Sequence, residues 1–167
     1  MYFSTQYDSP LGVITIVCSE VALVALRLPG QQPFGKDTVS VPPEEHPILH
    51  QTVRWLDPYF AGELTDSHDL PLNPEGTPFQ QIIWKLLLEI PYGQTATYGE
   101  LARRVASILD KPRMSAQAVG QAVGANPIAI IIPCHRCLGS EGRLTGYAGG
   151  LHLKRYLLET EKINRKE

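Results

Sequence analysis

The sequence predicts an α/β amino-terminal domain, a small antiparallel sheet plus a helix, followed by a mostly α carboxy-terminal domain. Three observations support this prediction. β-Branched and apolar runs dominate residues 1–28, as is typical of strands. Residues 63–76 are polar and contain two prolines, which indicates a linker. Capping boxes and one-face apolar repeats after residue 76 indicate successive helices. We therefore predict domains at residues 1–74, including the linker, and 75–167.

Length and composition are those of a globular protein with a sizeable core. The chain has 167 residues, 43% of them apolar and 19% charged. No apolar run reaches membrane-spanning length, and the first residues lack the pattern of a secretory signal. Three cysteines argue against a disulfide scaffold and for a reducing compartment. We expect a cytoplasmic protein without a membrane partner.

Charge is divided unevenly along the chain. Residues 1–100 carry four basic and twelve acidic side chains, a net charge of −8. Residues 101–167 carry eleven basic and five acidic side chains, a net charge of +6. This division indicates a basic half that meets an anion. A chance asymmetry of solvated surface explains it equally well when it is taken alone.

The amino-terminal half is predicted as strands, a loop and one helix. Residues 13–17 and 21–28 are the clearest strand-forming runs, with turn residues before and between them. Residues 29–43 are rich in Gly, Pro and Gln and predict a loop. A helix is expected within residues 44–62, kinked or shortened at Pro58.

Three helices are predicted between the linker and the apolar run at residues 128–132. Thr77 and Thr97 each begin one with a capping box. Ser115 caps a third over residues 116–123, whose apolar side is almost entirely Ala, Val and Gly. The second and third helices make a helix-turn-helix candidate, although ordinary helix packing accounts for such a pair as well.

The stretch with the most chemistry is residues 130–136, IIIPCHR. The apolar run at residues 128–132 predicts a buried strand that stops at a proline and Cys134, with His135 and Arg136 beside it. A thiol held rigidly near cationic groups is in the setting that makes a cysteine nucleophilic. A buried cysteine without chemistry is the alternative. After a glycine-rich loop, residues 151–161 are predicted as a final amphipathic helix and residues 162–167 as a charged tail.

The groups that would activate Cys134 are not fixed by spacing. His135 adjoins it, but neighbouring side chains of an extended segment point to opposite faces. A bridging water or a turn at Cys134 would therefore be needed. A carboxylate that orients the imidazole must come from elsewhere, and Glu141, Glu159 and Glu161 are all near in sequence.

Cys134 and Cys137 form a C-x-x-C pair, which allows two other interpretations. A dithiol redox site should open a helix after an early strand, whereas this pair follows a late one. A zinc site needs two more ligands, and there is no second C-x-x-C. We therefore expect no metal.

The motifs together resemble those of the O6-alkylguanine-DNA alkyltransferases, also called methylated-DNA–protein-cysteine methyltransferases. The Pro-Cys-His-Arg core at residues 133–136 is highly specific for that family, and the amino-terminal strands carry no diagnostic motif. The matching segments are spread over most of residues 55–161, namely 59–62, 76–80, 91–98, 126–127, 133–136, 146–150, Lys154, 157–158 and Glu161.

The resemblance implies a DNA repair protein that acts once. It implies a ribonuclease-H-like amino-terminal domain and a winged-helix-like carboxy-terminal domain with a helix-turn-helix. The Cys134 thiolate would attack the alkyl carbon on O6 of guanine and keep the alkyl group as a thioether, so no cofactor is needed. The partner would be double-stranded DNA containing O6-alkylguanine, bound by a monomer through the minor groove without sequence preference. The base must be flipped out, at a cost of roughly a few kcal/mol.

The family pattern also implies residue roles. His135 would deprotonate Cys134 through a water and be oriented by Glu161, while Tyr98 would meet a ring nitrogen of the departing guanine. Asn126 would tie the third helix to the active-site strand. The residues expected to bind the alkylated base are Gln117, Arg136, Cys137, Tyr147, Ala148, Gly149 and Lys154. Those expected to contact DNA are Arg113, Ser115, Ala116, Ala118 and Gln121.

The chain departs from the family pattern at several residues. Gln117 stands where many members have an arginine that fills the gap left by the flipped base, and the longer loop before it holds Arg113. We expect Gln117 to intercalate and Arg113 to contact phosphate. Cys137 replaces the usual valine, so a disulfide with Cys134 would block repair. Ala129 replaces a proline of some members, which would widen the pocket. The zinc ligands of some amino-terminal domains have no match.

Two other functions are alternatives to repair by alkyl transfer. A non-catalytic relative would flag alkylguanine for other repair, but such relatives lack the reactive cysteine, which is present here as Cys134. A dithiol redox protein would need both Cys134 and Cys137 for its activity.

Overall fold

Three antiparallel strands open the chain, as predicted. A computed structural model describes residues 1–66 and 69–165. Its first strands are β1 (Phe3–Ser9), β2 (Gly12–Cys18) and β3 (Leu23–Arg27). A fourth, β4 (Val39–Ser40), pairs in parallel with β1. The sheet order is therefore β3-β2-β1-β4, and the sheet is mixed rather than antiparallel.

The strand β4 lies inside the segment that was predicted as a loop. It forms because the exposed edge of β1 has free main-chain groups. Val39 N donates to Tyr2 O, and Val41 N donates to Ser4 O. Such a two-residue strand has too little periodicity to be seen in a sequence.

The helix α1 (Pro47–Phe60) packs against the strands β1, β2 and β3. His46 caps it, because the imidazole Nδ1 accepts a hydrogen bond from Ile48 N. Pro58 lies inside the helix, which ends two residues later. The buried residues of α1 and of β2 belong to the same hydrophobic core. Burying a large aliphatic side chain there contributes about 1.5–3 kcal/mol to stability.

Three helices follow at the predicted places: α2 (Pro78–Leu88), α3 (Tyr98–Ile108) and α4 (Ala116–Gly124). Both predicted capping boxes are present, at Thr77 and Thr97. The small-sided α4 packs against both α2 and α3. A two-stranded parallel sheet joins β5 (Ala96–Thr97) to β6 (Cys137–Leu138).

The last helix, α5 (Leu151–Arg165), is longer than predicted. It includes most of the segment that was predicted as a charged tail, and residues 166–167 lie outside the described residues. None of the described helices is long and apolar enough to cross a membrane.

The two halves of the chain share one core. Leu26 N donates to Pro127 O, and Ala129 N donates to Leu26 O, so β3 is joined to the segment that leads to Cys134. The predicted linker also borders β3, where Leu23 forms a bridge with Leu72. Its residues 67–68 lie outside the described residues.

The prediction of a strand at residues 128–132 is wrong. Apart from one bridge between Ile128 and Leu26, the segment folds into consecutive tight turns. Ile130 has a φ of 69°, in the left-handed region that a β-branched residue rarely adopts. The apolar run reflects complete burial, and a short buried run does not distinguish a strand from other buried structure.

Candidate active site

Cys134, His135 and Arg136 form a single 3-10 turn after Pro133. All three side chains are buried. A turn at Cys134 was one of the two arrangements that would let the thiol and the imidazole share a site. Because the chain turns here, these neighbouring side chains contribute to one polar cluster instead of opposite faces of a strand.

The segment before this turn is held by the side chain of Asn126. Its Nδ2 donates to Ile132 O at 2.8 Å, and its Oδ1 accepts from Ile128 N at 3.0 Å. The amide thus satisfies main-chain groups at both ends of the turns and spans the strained Ile130. The prediction that Asn126 ties α4 to the active-site segment is consistent with this geometry, although that segment is not a strand.

The helix α5 brings Glu161 against the turn, where its carboxylate accepts hydrogen bonds from four residues. Oε2 lies 2.6 Å from His135 Nε2 and accepts from the Tyr59 hydroxyl at 2.7 Å. Oε1 accepts from Arg136 Nε at 2.8 Å and from Gly93 N at 3.1 Å. A buried carboxylate with this many donors is fixed in position. Geometry therefore selects Glu161 as the partner of His135, which spacing alone did not.

The contact with Glu161 fixes the tautomer of His135. An ionised carboxylate only accepts hydrogen bonds, so Nε2 carries the hydrogen and Nδ1 is the acceptor. His135 Nδ1 is buried and has no hydrogen-bond partner among the described residues. A nitrogen in this state can take a proton from a neighbouring thiol, directly or through a water.

Burial and neighbouring groups set the resting charges of the site. Burial raises the pKa of Glu161, but hydrogen bonding to His135 and the charges of His135 and Arg136 outweigh it and lower the pKa to about 2. Burial lowers the pKa of His135. Burial also raises the pKa of the Cys134 thiol, although Asn126, Tyr147 and Lys154 oppose that rise. The site therefore rests as a carboxylate, a neutral imidazole and a neutral thiol, so the thiol needs a base.

Lys154 adds a buried positive charge to this cluster. Its side chain is 0% exposed, and its Nζ donates to Thr145 O at 2.8 Å. Among the described residues, no carboxylate lies within ion-pair distance of this ammonium group. Burial lowers the pKa of Lys154, although Cys137 and Cys134 oppose that shift. When Lys154 is protonated, it and Arg136 carry two positive charges against the one negative charge of Glu161. A thiolate at Cys134 would balance the excess.

Cys134 lies in a cleft of about 970 Å³, within the usual size range of a ligand site. Its wall is mostly apolar, as is usual for ligand sites. The predicted site residues that line it are Tyr98, Ala116, Gln117, Gln121, Asn126, Cys134, Tyr147 and Ala148. Ala129 also lines it.

Other predicted base-binding residues do not line the cleft. Arg136 points to Glu161 and to Ile90 O, which its NH1 contacts at 2.7 Å. Lys154 does not line the cleft, and its Nζ instead contacts Thr145 O in the loop before α5. At Gly149 a Cβ atom would come within 2.9 Å of both Leu28 and Leu153, so this glycine allows close packing of the loop onto the amino-terminal part.

Cys137 lacks the environment of a redox thiol. It is 0% exposed in β6, and burial raises its pKa to about 12, opposite to the lowered pKa of reactive dithiol sites. The pair also begins a 3-10 turn rather than an α-helix.

The structure gives no support for a metal site in the part of the chain it describes. No group of three or more His, Cys, Asp or Glu side chains there could hold a metal ion. His46 and His50 have H-x-x-x-H spacing, but His46 uses Nδ1 to cap α1.

The predicted DNA-contact residues that do not line the cleft lie beside it. Ser115 caps α4 and Ala118 is half-buried on it. Arg113 lines a second groove, of about 460 Å³, between α3 and the loop before α4, together with Arg103 and Lys111.

Sequence reasoning missed three residues of the site. Arg103 lines both grooves, and its place on the polar face of α3 after Tyr98 could have indicated it. Gln31 reaches the cleft from the amino-terminal loop, and no sequence signal points to it. Tyr59 lies in a matched motif, but its contact with Glu161 spans 102 residues of chain.

Fold and site together define a protein with one buried cysteine that lines a cleft, a histidine–glutamate pair that begins at the next residue, and a pair of packed helices at the cleft wall. The family model described as 6-O-methylguanine DNA methyltransferase, ribonuclease-like domain, matches residues 1–74. The model described as 6-O-methylguanine DNA methyltransferase, DNA binding domain, matches residues 78–163. The chain therefore belongs to the 6-O-methylguanine DNA methyltransferase family.

Curated relatives and solved structures agree with this assignment. A methylated-DNA–protein-cysteine methyltransferase of Methanosarcina acetivorans is 44% identical over 164 residues, 96% of this chain and 98% of the relative. That of Mycobacterium bovis is 46% identical over 93% of this chain and 89% of its own length. The OGT of Mycobacterium tuberculosis, solved in complex with DNA, is 43% identical with a TM-score of 0.86, covering 97% of this chain and 94% of the other.

Proposed function

We propose that this protein repairs DNA by direct reversal, as a methylated-DNA–protein-cysteine S-methyltransferase. It transfers the alkyl group of O6-alkylguanine to Cys134, which leaves S-alkylcysteine in the protein and guanine in the DNA. The observation that carries the proposal is the buried thiol at the floor of the cleft, next to an imidazole whose Nδ1 is held ready by Glu161. The names of the relatives at 42–46% identity support it.

The reaction follows from the resting charges. The proton of Cys134 passes to Nδ1 of His135, directly or through a water, and Glu161 stabilises the imidazolium that forms. The thiolate attacks the alkyl carbon, the new S–C bond forms as the C–O6 bond breaks, and the electron pair goes to the guanine. Burial raises the pKa of Tyr98, so its hydroxyl stays protonated and donates to the departing base.

The chemistry explains why one molecule acts once. A thioether sulfur has no low-energy leaving step, so Cys134 is not regenerated. No external group is required for the transfer, since the attacking electrons come from the thiolate and the base from His135.

DNA binding is proposed for the carboxy-terminal residues 75–167. The helices α3 and α4 would act as a helix-turn-helix in a winged-helix-like domain, with α4 in the minor groove because its Ala and Gly surface allows close contact. Arg103, Lys111 and Arg113 would contact phosphates, which supply affinity without sequence preference. Gln117 lines the cleft and would occupy the gap left by the flipped base. A single chain contains all of these residues, so a monomer suffices.

A pair of cysteine variants tests this function. Cys134→Ser should bind a duplex with one O6-methylguanine as well as the unchanged protein does. It should transfer the methyl group at least ~1,000-fold more slowly, because serine is a far weaker nucleophile at neutral pH. Cys137→Ser is the matched control and should transfer normally. Loss of transfer in Cys137→Ser alone would contradict the proposal and favour dithiol chemistry.

A further inference from the structure

Tyr59 joins the amino-terminal part of the molecule to the carboxylate behind the reactive turn. The residue lies near the end of α1 and is 0% exposed. Its hydroxyl donates to Glu161 Oε2 at 2.7 Å. Neither the sequence motif that contains Tyr59 nor the mechanism above gives this hydroxyl a role.

We infer that Tyr59 is a positioning residue for alkyl transfer, whose hydroxyl fixes Glu161 and limits how strongly that carboxylate attracts the hydrogen on His135. This inference rests on the proposed function and adds a component of the site that comes from the other half of the chain. Tyr59 does not reach the cleft and does not touch the reacting atoms.

The distances show how the hydroxyl acts. The two shortest hydrogen bonds to Glu161 Oε2 come from the Tyr59 hydroxyl at 2.7 Å and His135 Nε2 at 2.6 Å, and Arg136 NH2 donates to the same oxygen at 3.3 Å. Two donors on one oxygen share its negative charge, so each bond weakens the pull on the other. Arg136 Nε and Gly93 N occupy Oε1, so the carboxylate cannot turn to relieve this competition.

Packing determines where the hydroxyl lies. The Tyr59 ring stacks on Trp55 with a centroid distance of 5.3 Å and meets Phe60 edge-to-face at 5.3 Å and Tyr92 at 6.2 Å. These contacts involve the ring alone, so a phenylalanine would keep them. Removal of the hydroxyl therefore tests the hydrogen bond rather than the packing.

Other charged and titratable groups around this pair come from several elements. They are Tyr92 before α3, Arg136 in the turn, Tyr147 in the glycine-rich loop and Lys154 on α5. All of them stay in place when only Tyr59 is changed. A change in the pH dependence of transfer would then come from the hydrogen bond between Tyr59 and Glu161.

The experiment compares single-turnover transfer from an O6-methylguanine duplex across the pH range in which histidine titrates. In Tyr59→Phe, Oε2 keeps more negative charge for His135, so the imidazole becomes more basic and the acid limb of the rate profile moves to higher pH. We also expect a ~3- to 10-fold lower rate at neutral pH, because the carboxylate is held less firmly. DNA affinity should not change.

Two further proteins complete the design. Tyr7→Phe is the matched control, because the Tyr7 hydroxyl also donates to a carboxylate of α1, Asp57, at 2.6 Å. Its profile should superimpose on that of the unchanged protein. Replacing Tyr59 by 3-fluorotyrosine keeps the ring and strengthens the donor, so the acid limb should move to lower pH.

The outcomes separate a positioning role from a structural one. A Tyr59→Phe profile that is unchanged, or lowered by one factor at every pH, would overturn the inference. If Tyr59→Phe does not fold, the fluorinated protein decides, and an unshifted acid limb would overturn the inference in the same way. Failure of the unchanged protein to transfer would instead contradict the proposed function.

Discussion

The two sides of the His135 ring are built differently. On the Nε2 side, Glu161 is only 2% exposed and accepts hydrogen bonds from four residues, with Arg136 donating to both of its oxygens. On the Nδ1 side, the buried nitrogen has no hydrogen-bond partner in the described part of the chain. The polar groups of the Nε2 side are therefore fully paired, whereas Nδ1 is free to exchange a proton in the proposed reaction.

This difference has a physical basis. An unpaired buried polar atom costs free energy, about 1–3 kcal/mol, so proteins keep few of them. One that persists beside a cysteine is a candidate for function rather than an accident of packing. On the Nε2 side, the cost of burying Glu161 is offset by hydrogen bonds from Arg136, the Tyr59 hydroxyl and Gly93 N. The contact with Glu161 thereby gives His135 a defined tautomer.

The largest effect is expected when the negative charge of Glu161, on the Nε2 side of His135, is removed. Glu161→Gln leaves Arg136 buried without its partner and takes the orienting carboxylate from His135. We expect about 3–5 kcal/mol lower stability and a transfer rate at least ~100-fold lower. Urea unfolding and single-turnover transfer measure the two effects.

Glu159→Gln is the matched control for that variant, because Glu159 is exposed on the same helix. It should leave both quantities unchanged. A folded Glu161→Gln protein with normal transfer would show that the Nε2 side does not act on the thiol.

Acid titration tests the same side without a mutation. The folded pKa of Glu161 is about 2, below its ordinary value of 4.5, so its contribution is present above pH 4.5 and is lost as pH falls towards 2. The size is on the order of 3 kcal/mol. His135 has a lowered pKa, so the unfolded chain binds its proton first and stability already begins to fall below its ordinary pKa of 6.5. Urea unfolding at a series of pH values should show both losses, and a flat profile would contradict the charge assignments.

Removing a positive charge near Cys134 should lower the transfer rate less than Glu161→Gln does. Lys154→Met removes a buried positive charge near Cys134 while keeping an unbranched side chain. We expect a thiolate that forms less readily and a transfer rate about tenfold lower, equivalent to one pKa unit. Arg155→Met, exposed one residue further along α5, is the control. Equal rates for Lys154→Met and the unchanged protein would mean that the charge balance does not act on the thiol.

The smallest effect is expected furthest from the ring, at the rim of the cleft. Gln117→Ala should lower transfer from a duplex ~2- to 5-fold relative to transfer from a single strand, because only the duplex has a gap to fill. The ratio of the two single-turnover rates is the measurement. An unchanged ratio would show that Gln117 does not intercalate.

What could be predicted from the sequence depended on the distance over which the residues interact. Thr77 and Thr97 begin helices through contacts three residues away, so their capping boxes were predicted and are present. Cys134 was found because its immediate neighbours carry the signal.

Interactions between distant segments were not predictable in this way. Tyr59 and Glu161 meet only after the two halves of the chain pack together. The apolar run at residues 128–132 was predicted as a strand, but it forms turns whose main-chain groups are hydrogen-bonded to the side chain of Asn126. Whether such a run becomes a strand depends on the main-chain partners that the fold provides.

The most direct test is intact-protein mass after reaction with a duplex that carries one O6-methylguanine, followed by peptide mapping. The expected result is a gain of one CH2 group per protein molecule, located on Cys134, with no further gain when more DNA is added. An unchanged mass under reducing conditions, or a methyl group on another residue, would contradict the assignment of Cys134 as the single-use acceptor.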